Sequence, residues 1–300
     1  MPLPQRYGVA LLVWLGPAGI AAAQANPGVP RLAWRPRVPL EGSLLVLCVR
    51  PLPADSVTAI RGALAGEPLH FERVGDAFRA VGAVPLGARD SVAARVVIER
   101  AGSASDTLLA ALRVGRRRAA REQLEVAGAY VQPPESLAGR IRIERDLLQD
   151  VRQRSHDTPR QWHQAFVRPR PSAVTSAFGV SRVFNGVVGS RHLGVDFAGR
   201  PGAPVRAANR GVVAFVGDLY YSGTTIFIDH GAGLVTGYFH LSRALVVAGD
   251  TVSRGQLIGR VGATGRVTKP HLHWFAAYGS VTVDPLGLVR LGTLMDRPSW

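Results

Sequence analysis

Four histidines and one aspartate in the second half of the chain have types and spacings that suit metal chemistry. His192 and Asp196 lie four residues apart, His271 and His273 lie two apart, and His240 closes a further apolar run. An even spacing on a β-strand places both side chains on the same face of the sheet. A catalytic zinc site uses three nitrogen or oxygen ligands and one open position for water. Two histidines and one carboxylate meet that requirement.

The combination of these residues carries more weight than either pair alone. An H-x-H or an H-x-x-x-D pattern often occurs by chance, but both occur here with a further histidine, His240, in one strand-rich region. The sequence therefore predicts a metal site, with two further histidines available to handle protons. The region has no H-E-x-x-H motif, so the glutamate-base mechanism of thermolysin-like enzymes is not expected.

The residues around these histidines form short apolar runs separated by glycine-rich turns. Such runs are typical of β-strands. We therefore predict an all-β domain over residues 166–300. Its predicted strands are 205–216, 224–229, 234–240, 257–261 and 272–277.

The first half of the chain shows strand patterns of its own, followed by a segment of different character. Turn signals at intervals of roughly ten residues predict a small antiparallel β-sandwich over residues 26–115. Residues 116–165 are predicted to be a helical linker, because Leu137, Ile141, Leu148 and Val151 fall on one stripe. The fold class is therefore all-β with a helical linker between two domains.

The N-terminal residues and the overall composition indicate a compartment. Residues 1–25 combine a basic start, a short apolar core and an A-x-A ending, which predicts a cleavable signal peptide. The net charge of +15 favours anionic partners such as cell-envelope polymers. One cysteine excludes a disulfide framework. We expect an exported protein, either periplasmic or extracellular and associated with the cell wall.

Six short motifs resemble the M23 zinc metallopeptidases, the lysostaphin or LytM group, in order and spacing over about residues 169–285. These motifs are HLGVDF at 192–197, GAPV at 202–205, GVV at 211–213, YFHL at 238–241, GQLIG at 255–259 and HLH at 271–273. The segments before them resemble longer exported members that carry an immunoglobulin-like domain.

The resemblance implies a role for each residue of the site. His192, Asp196 and His273 would bind zinc, and His240 and His271 would form the catalytic pair. In that scheme His271 is the general base, while His240 orients the water and stabilises the oxyanion, although the two roles could be exchanged. His230 falls in a turn of the family pattern and is not expected to bind metal.

Two positions depart from the family pattern. Lys269 replaces a glycine in the loop before His271, where it could attract a substrate carboxylate or simply be solvated. Phe275 replaces an acidic residue that could interact with a metal-binding side chain and so tune the metal site. Neither departure touches a predicted ligand.

The implied function is an exported zinc endopeptidase that cuts the peptide stems or cross-links of peptidoglycan. The alternative is a non-catalytic LytM-type activator or binding module of the cell envelope, and a biotin or lipoyl carrier using Lys269 is a third hypothesis. Nucleic acid is not an expected partner of an exported chain. The sandwich and helix could also cover the active-site groove and make the protein latent.

Overall fold

The computed structural model describes residues 11–12, 29–51, 57–102, 104–118 and 120–295. The predicted signal peptide lies outside the described residues, except for the two-residue strand β1 (Leu11–Leu12). No helix in the described ranges is both long enough and apolar enough to span a membrane.

Residues 31–113 form two sheets that face each other across an apolar core, referred to here as the sandwich. The strands are β2 (Arg31–Arg35), β3 (Leu44–Arg50), β4 (Val57–Leu64), β5 (Glu67–Leu69), β6 (Glu72–Val74), β7 (Ala77–Ala83), β8 (Ser91–Arg100) and β9 (Asp106–Arg113). One sheet has the order β1-β9-β8-β4-β5, and the other has the order β2-β3-β7-β6.

Strand β3 explains how the sandwich joins the rest of the molecule. Its six residues from Leu44 to Val49 are all buried, as expected of a strand that is covered on both faces. Leu45 and Leu47 face the sandwich core, whereas Leu44 and Val46 belong to the core of the C-terminal domain. The two domains therefore share a continuous apolar contact.

The linker contains a strand that the sequence analysis did not predict. Strand β10 (Arg121–Leu124) pairs in parallel with β12 (Ser181–Phe184) of the C-terminal domain. Arg-Glu-Gln-Leu has neither β-branched residues nor apolar alternation, so only the tertiary pairing makes it a strand. Helix α1 (Ala138–Arg154) lies in the predicted helical region, where Leu148 and Val151 pack against the C-terminal sheet.

The C-terminal domain is built around a ten-stranded sheet with the central order β11-β14-β21-β18-β17-β16-β19. Besides β12, the strands of the C-terminal domain are β11 (Val174–Ser176), β13 (Val188–Arg191), β14 (Gly194–Ala198), β15 (Pro204–Arg206), β16 (Gly211–Leu219), β17 (Gly223–Gly231), β18 (Leu234–Ala244), β19 (Thr251–Val252), β20 (Leu257–Val261), β21 (His271–Tyr278) and β22 (Val281–Thr282). Strand β13 pairs with β12 in a separate three-stranded sheet that also contains β10. The prediction of a mostly β fold is confirmed.

Strand β21 separates two environments by its alternation. Leu272, Trp274 and Ala276 face the main apolar core, and the opposite face carries both histidines of the H-x-H pattern. A helix that the sequence analysis did not predict, α2 (Pro285–Met295), closes the main core from outside with Leu288 and Leu291.

Candidate metal centre

Strand register brings together residues that are about eighty positions apart in the sequence. Strands β14 and β21 are antiparallel, and Asp196 is directly opposite His273. Facing residues of such a pair have Cβ atoms about 4.5–5.5 Å apart, so their side chains can reach one metal ion. His192 precedes β14 and is anchored by its backbone N–H to the carbonyl of Val180 at 2.8 Å.

The three side chains form a compact triangle of possible ligand atoms. His192 Nε2 lies 3.1 Å from Asp196 Oδ1 and 3.0 Å from His273 Nδ1, and the last two atoms are 2.8 Å apart. Atoms bound to one tetrahedral zinc at bond lengths of about 2.0–2.1 Å lie about 3.3 Å from one another. The donor types and the separations therefore fit zinc with a fourth position open.

Each member of the triangle is turned towards the common point by a second contact. His192 Nδ1 lies 2.8 Å from the carbonyl of Ala177, so it carries the proton and leaves the Nε2 lone pair free. Asp196 accepts a hydrogen bond from Arg182 at Oδ2 (2.5 Å), which leaves Oδ1 for the triangle. Burial alone would raise the pKa of Asp196, but the close contacts of its carboxylate with His192 and His273 outweigh that effect and hold the pKa well below its usual range.

His273 is fixed by close packing. Its ring stacks on Phe239 with centroids 5.0 Å apart. On the other side, a Cβ atom at Gly194 would lie only 2.4 Å from His273 Nε2, so glycine is required at that position. Burial lowers the pKa of His273 to about 4, and the ring is therefore neutral, as a metal ligand must be.

His240 and His271 lie next to the triangle with one free nitrogen each. Their ring centroids are 5.0 Å apart, and His271 Nε2 is 3.6 Å from Asp196 Oδ1. In both rings Nδ1 lies 2.8 Å from a backbone carbonyl, of Thr264 for His240 and of Lys269 for His271. A carbonyl only accepts, so both Nδ1 atoms carry a proton, and in the neutral form of each ring Nε2 is an acceptor. Burial, together with His273 and His271, holds the pKa of His240 well below its usual range.

A β-bulge directs His240 into the site. The pairing of β17 with β18 shifts register between Tyr238 and Leu241, and His240 has a positive φ of 62°. On a regular strand Phe239 and His240 would point to opposite faces, but here both line the same cleft. The sequence analysis named His240 without a reason for its orientation, since no local pattern signals a left-handed histidine.

The triangle lies at the bottom of a cleft of about 520 Å³. Besides the five site residues and Phe239, the cleft is lined by Glu122, Leu124, Val126, Thr175, Ser176, Arg182, Phe184, Ser190, Arg191, Leu193, Tyr221, Ser222, Arg266, Val267, Thr268 and Lys269. The linker thus supplies part of one wall. No described residue of the sandwich or of α1 lines the cleft, which differs from the expectation that these elements cover it.

A hydrogen-bond network connects the linker to two members of the triangle. Glu122 Oε2 accepts hydrogen bonds from Ser176 Oγ (3.0 Å) and Arg182 Nε (3.1 Å). Arg182 in turn contacts Asp196, and Ser176 Oγ lies 3.2 Å from His192 Nδ1. The sequence analysis missed Glu122 and Arg182, because neither β10 nor β12 was among the predicted strands.

The two departures from the family pattern have different surroundings. Lys269 is exposed at the edge of the cleft. Phe275 is buried against Phe239 and Phe227, in the cluster that α1 covers with Val151. The acidic residue of the family pattern is thus replaced by an apolar support for the Phe239 ring on which His273 stacks.

The other histidines lie outside the cleft. His230 is buried, with contacts to the Arg210 carbonyl (2.7 Å) and the Thr236 hydroxyl (2.8 Å). His70 of the sandwich and His156 of the linker form a hydrogen-bonded pair (2.8 Å). His163 is exposed.

Comparison with known proteins identifies the domain that holds this site. The sequence profile of peptidase family M23 matches residues 190–285, which include every member of the triangle and both neighbouring histidines. The C-terminal domain belongs to peptidase family M23.

Individual relatives support that assignment. The M23 domain is 49% identical over 83 residues to the peptidoglycan DD-endopeptidase ShyA of Vibrio cholerae, covering 28% of this chain and 19% of ShyA. It is 42% identical over 97 residues to the DD-carboxypeptidase/endopeptidase Mpg of Neisseria meningitidis, covering 32% of this chain and 22% of Mpg. The chain therefore matches about a fifth of the length of these curated relatives.

One solved structure extends the likeness beyond the M23 domain. A peptidase M23 from Pseudomonas aeruginosa superimposes with a TM-score of 0.64 and 28% sequence identity, covering 84% of this chain and 95% of that chain. The likeness therefore includes the arrangement of the preceding segments as well as the peptidase fold.

Proposed function

We propose that the protein is a zinc-dependent endopeptidase that hydrolyses peptide bonds in peptidoglycan stems or cross-links. The observation that carries the proposal is the triangle of His192, Asp196 and His273 beside two histidines whose free Nε2 atoms face the same cleft. A zinc ion bound there would supply Lewis acidity towards a water molecule and a peptide carbonyl.

The two neighbouring histidines account for the movement of the proton. With the Nδ1 proton of each ring bound to a backbone carbonyl, Nε2 is the nitrogen that can accept a proton from a water in the cleft. We assign the general base to His271, since its Nε2 lies 3.6 Å from the carboxylate of the triangle. His240, whose pKa is lowered mainly by burial, is neutral and orients the water by accepting a hydrogen bond at Nε2. His271, which has taken the proton of the attacking water, then passes that proton to the leaving amine as the peptide C–N bond breaks.

Peptidoglycan is the proposed substrate because of the relatives and the charge. ShyA and Mpg are named for peptidase activities, and ShyA for peptidoglycan itself. The net charge of +15 suits residence on anionic envelope polymers. Export remains part of this proposal and rests on the composition of residues 1–25.

The test of activity uses residues 26–300 loaded with zinc and incubated with isolated cell walls. We expect release of soluble peptide fragments, and we expect His271→Gln to retain zinc while kcat/KM falls by about 100-fold or more. His163→Gln, at an exposed histidine, is the matched control and should be fully active. Zinc binding without any released fragment would reject the proposal in favour of the non-catalytic activator.

Export has a separate test. The full chain expressed in a bacterium should be recovered outside the cytoplasm with Asn26 as its first residue. Recovery of the intact N-terminus in the cytoplasm would contradict this part of the proposal and leave the proposed chemistry untouched.

A further inference from the structure

Arg266 is held in an aromatic setting at the wall of the cleft. Its guanidinium carbon lies 4.2 Å from the ring centre of Phe184 and 4.7 Å from that of Tyr221. Its backbone N–H donates to the carbonyl of Tyr221 at 2.8 Å. An arginine stacked on aromatic rings is oriented before any ligand arrives, because the rings bind the flat face of the guanidinium.

The edge of this guanidinium has no acceptor within the described part of the chain. The side chain of Arg266 makes no hydrogen bond or ion pair there, although its faces are covered. The other arginines of the cleft differ: Arg182 is paired with Glu122 and Asp196, and Arg191 lies 4.0 Å from Glu41. Burial lowers the pKa of Arg266, but a guanidinium remains charged at neutral pH. A partly desolvated charge with free in-plane donors is poised to bind an anion.

The loop that carries Arg266 also holds both candidate proton carriers. The carbonyl groups of Thr264 and Lys269, on either side of Arg266, accept the hydrogen bonds that orient His240 and His271. The loop is anchored in turn, because Thr264 Oγ1 accepts from the backbone N–H of Thr224 at 2.9 Å. Arg266 therefore keeps a constant position relative to the site of proton transfer.

We propose that Arg266 binds a carboxylate of the peptide substrate close to the bond that is cut, so that the cleft selects an anionic peptide. A guanidinium fork binds a planar carboxylate through two parallel hydrogen bonds, which makes the recognition geometric as well as electrostatic. Exposed Lys269 at the cleft edge adds positive charge but has no fixed orientation comparable to that of Arg266. This inference rests on the proposed function and names the chemical class of its substrate.

A purely structural role for Arg266 would lead to different behaviour. If the guanidinium only filled space between rings, its removal would weaken the binding of every peptide to the same degree. A carboxylate-binding role instead predicts that the loss depends on whether the ligand carries the carboxylate. The decisive measurement is therefore a ratio between two ligands.

The experiment compares two forms of one cross-linked peptidoglycan peptide dimer, with the carboxyl group beside the cross-link either free or amidated. Binding of each form to the full chain is measured by calorimetry, and cleavage is measured in parallel. We expect the free acid to bind about tenfold or more tightly than the amide. Arg266→Gln should reduce this ratio to about one, and Arg266→Lys should restore it in part. Arg191→Gln removes one positive charge from the same cleft and should keep most of the ratio.

The outcomes separate this inference from the proposed function. An unchanged ratio in Arg266→Gln, or an equal loss for both peptides, overturns the role of Arg266 even if both peptides are cleaved. A ratio that depends on Arg266 without any cleavage by the wild type supports the carboxylate site and rejects the peptidase activity. Zinc affinity and circular dichroism of each variant establish that it is folded.

Discussion

At the scale of single residues, the two carboxylate oxygens of Asp196 have different partners. Its Oδ1 atom completes the triangle with His192 and His273, while its Oδ2 atom accepts a hydrogen bond from Arg182. Because each oxygen has its own contacts, the plane of the carboxylate is fixed. Supporting contacts of this kind are as important to a metal site as the ligands themselves.

Gly194 provides a prediction at this scale. Gly194→Ala should lower zinc affinity by about tenfold or more, because the new methyl group would lie within 2.6 Å of three atoms of His273 and Trp274. Competition with a chelating dye measures the change. The control is Gly189→Ala, since a Cβ atom there meets no heavy atom within 4 Å. Equal zinc affinities of the two variants would show that His273 can move without any loss of zinc binding.

His230 predicts a pH dependence of stability. Burial lowers the pKa of His230 to about 4 from the model-compound value of 6.5. Between these values the unfolded chain binds a proton at this residue and the folded chain does not. The neutral, buried His230 therefore makes its full contribution to the free energy of unfolding above pH 6.5. As the pH falls towards 4, the free energy of unfolding decreases by up to about 3 kcal/mol.

Chemical denaturation at a series of pH values tests whether the free energy of unfolding decreases in this direction. His230→Gln should show a shallower loss of stability than the wild type between pH 6.5 and 4. His163→Gln, which replaces an exposed histidine, should keep the slope of the wild type. A steeper slope in His230→Gln would mean that the assigned direction is wrong.

At the scale of elements, strand β10 is a part of the linker that reaches the metal centre. It pairs with β12 through four residue pairs, and the side-chain amide of Asn185 binds both backbone groups of Val126 just beyond it, at 2.9 and 2.8 Å. These contacts hold Glu122 within hydrogen-bonding distance of Arg182 and Ser176. A segment outside the M23 match thus supports residues within it.

Glu122 is accordingly predicted to be a positioning residue. Glu122→Gln keeps the size of the side chain but removes the charge that Arg182 and Ser176 contact, and zinc affinity should fall by about 10- to 100-fold. Glu125→Gln, at an exposed glutamate of the same linker, is the control and should have no effect. Titration with zinc and a competing chelator gives both values. If both variants bind zinc like the wild type, the network contributes nothing to the metal centre.

At the scale of the whole molecule, the domains are joined by polar as well as apolar contacts. Glu67 of the sandwich is buried and lies 2.9 Å from His156 Nε2, and it also accepts hydrogen bonds from the backbone N–H and the hydroxyl of Ser280. The Tyr278 hydroxyl donates to the carbonyl of Pro68 at 2.6 Å. The sandwich is therefore fixed behind the M23 sheet, while the cleft on the other side keeps exposed residues such as Leu193 at its edge.

This interface leads to a prediction about stability. Glu67→Ala removes the carboxylate that the largely buried His156 side chain contacts and should lower the free energy of unfolding by about 2–4 kcal/mol. Glu72→Ala breaks the more exposed pair with Arg160 (2.8 Å), and the loss there should be at most about 1 kcal/mol. Denaturant titration measures both. Similar losses in the two variants would contradict the importance of the buried contact.

The fold class and the residues of the candidate site could be predicted from the sequence, whereas the assembly of that site could not. The spacings of His192 to Asp196 and of His271 to His273 determine which side chains share a strand face, because alternation is a local property of the backbone. Strand pairing is not local. The register that sets Asp196 opposite His273, the bulge that turns His240 inwards and the pairing of β10 all depend on contacts between distant segments. The aromatic setting of Arg266 arises in the same way, from the ring of Phe184 at the end of β12 and the ring of Tyr221 in a turn. Only the tertiary structure decided these features, since their energies come from packing that no single segment contains.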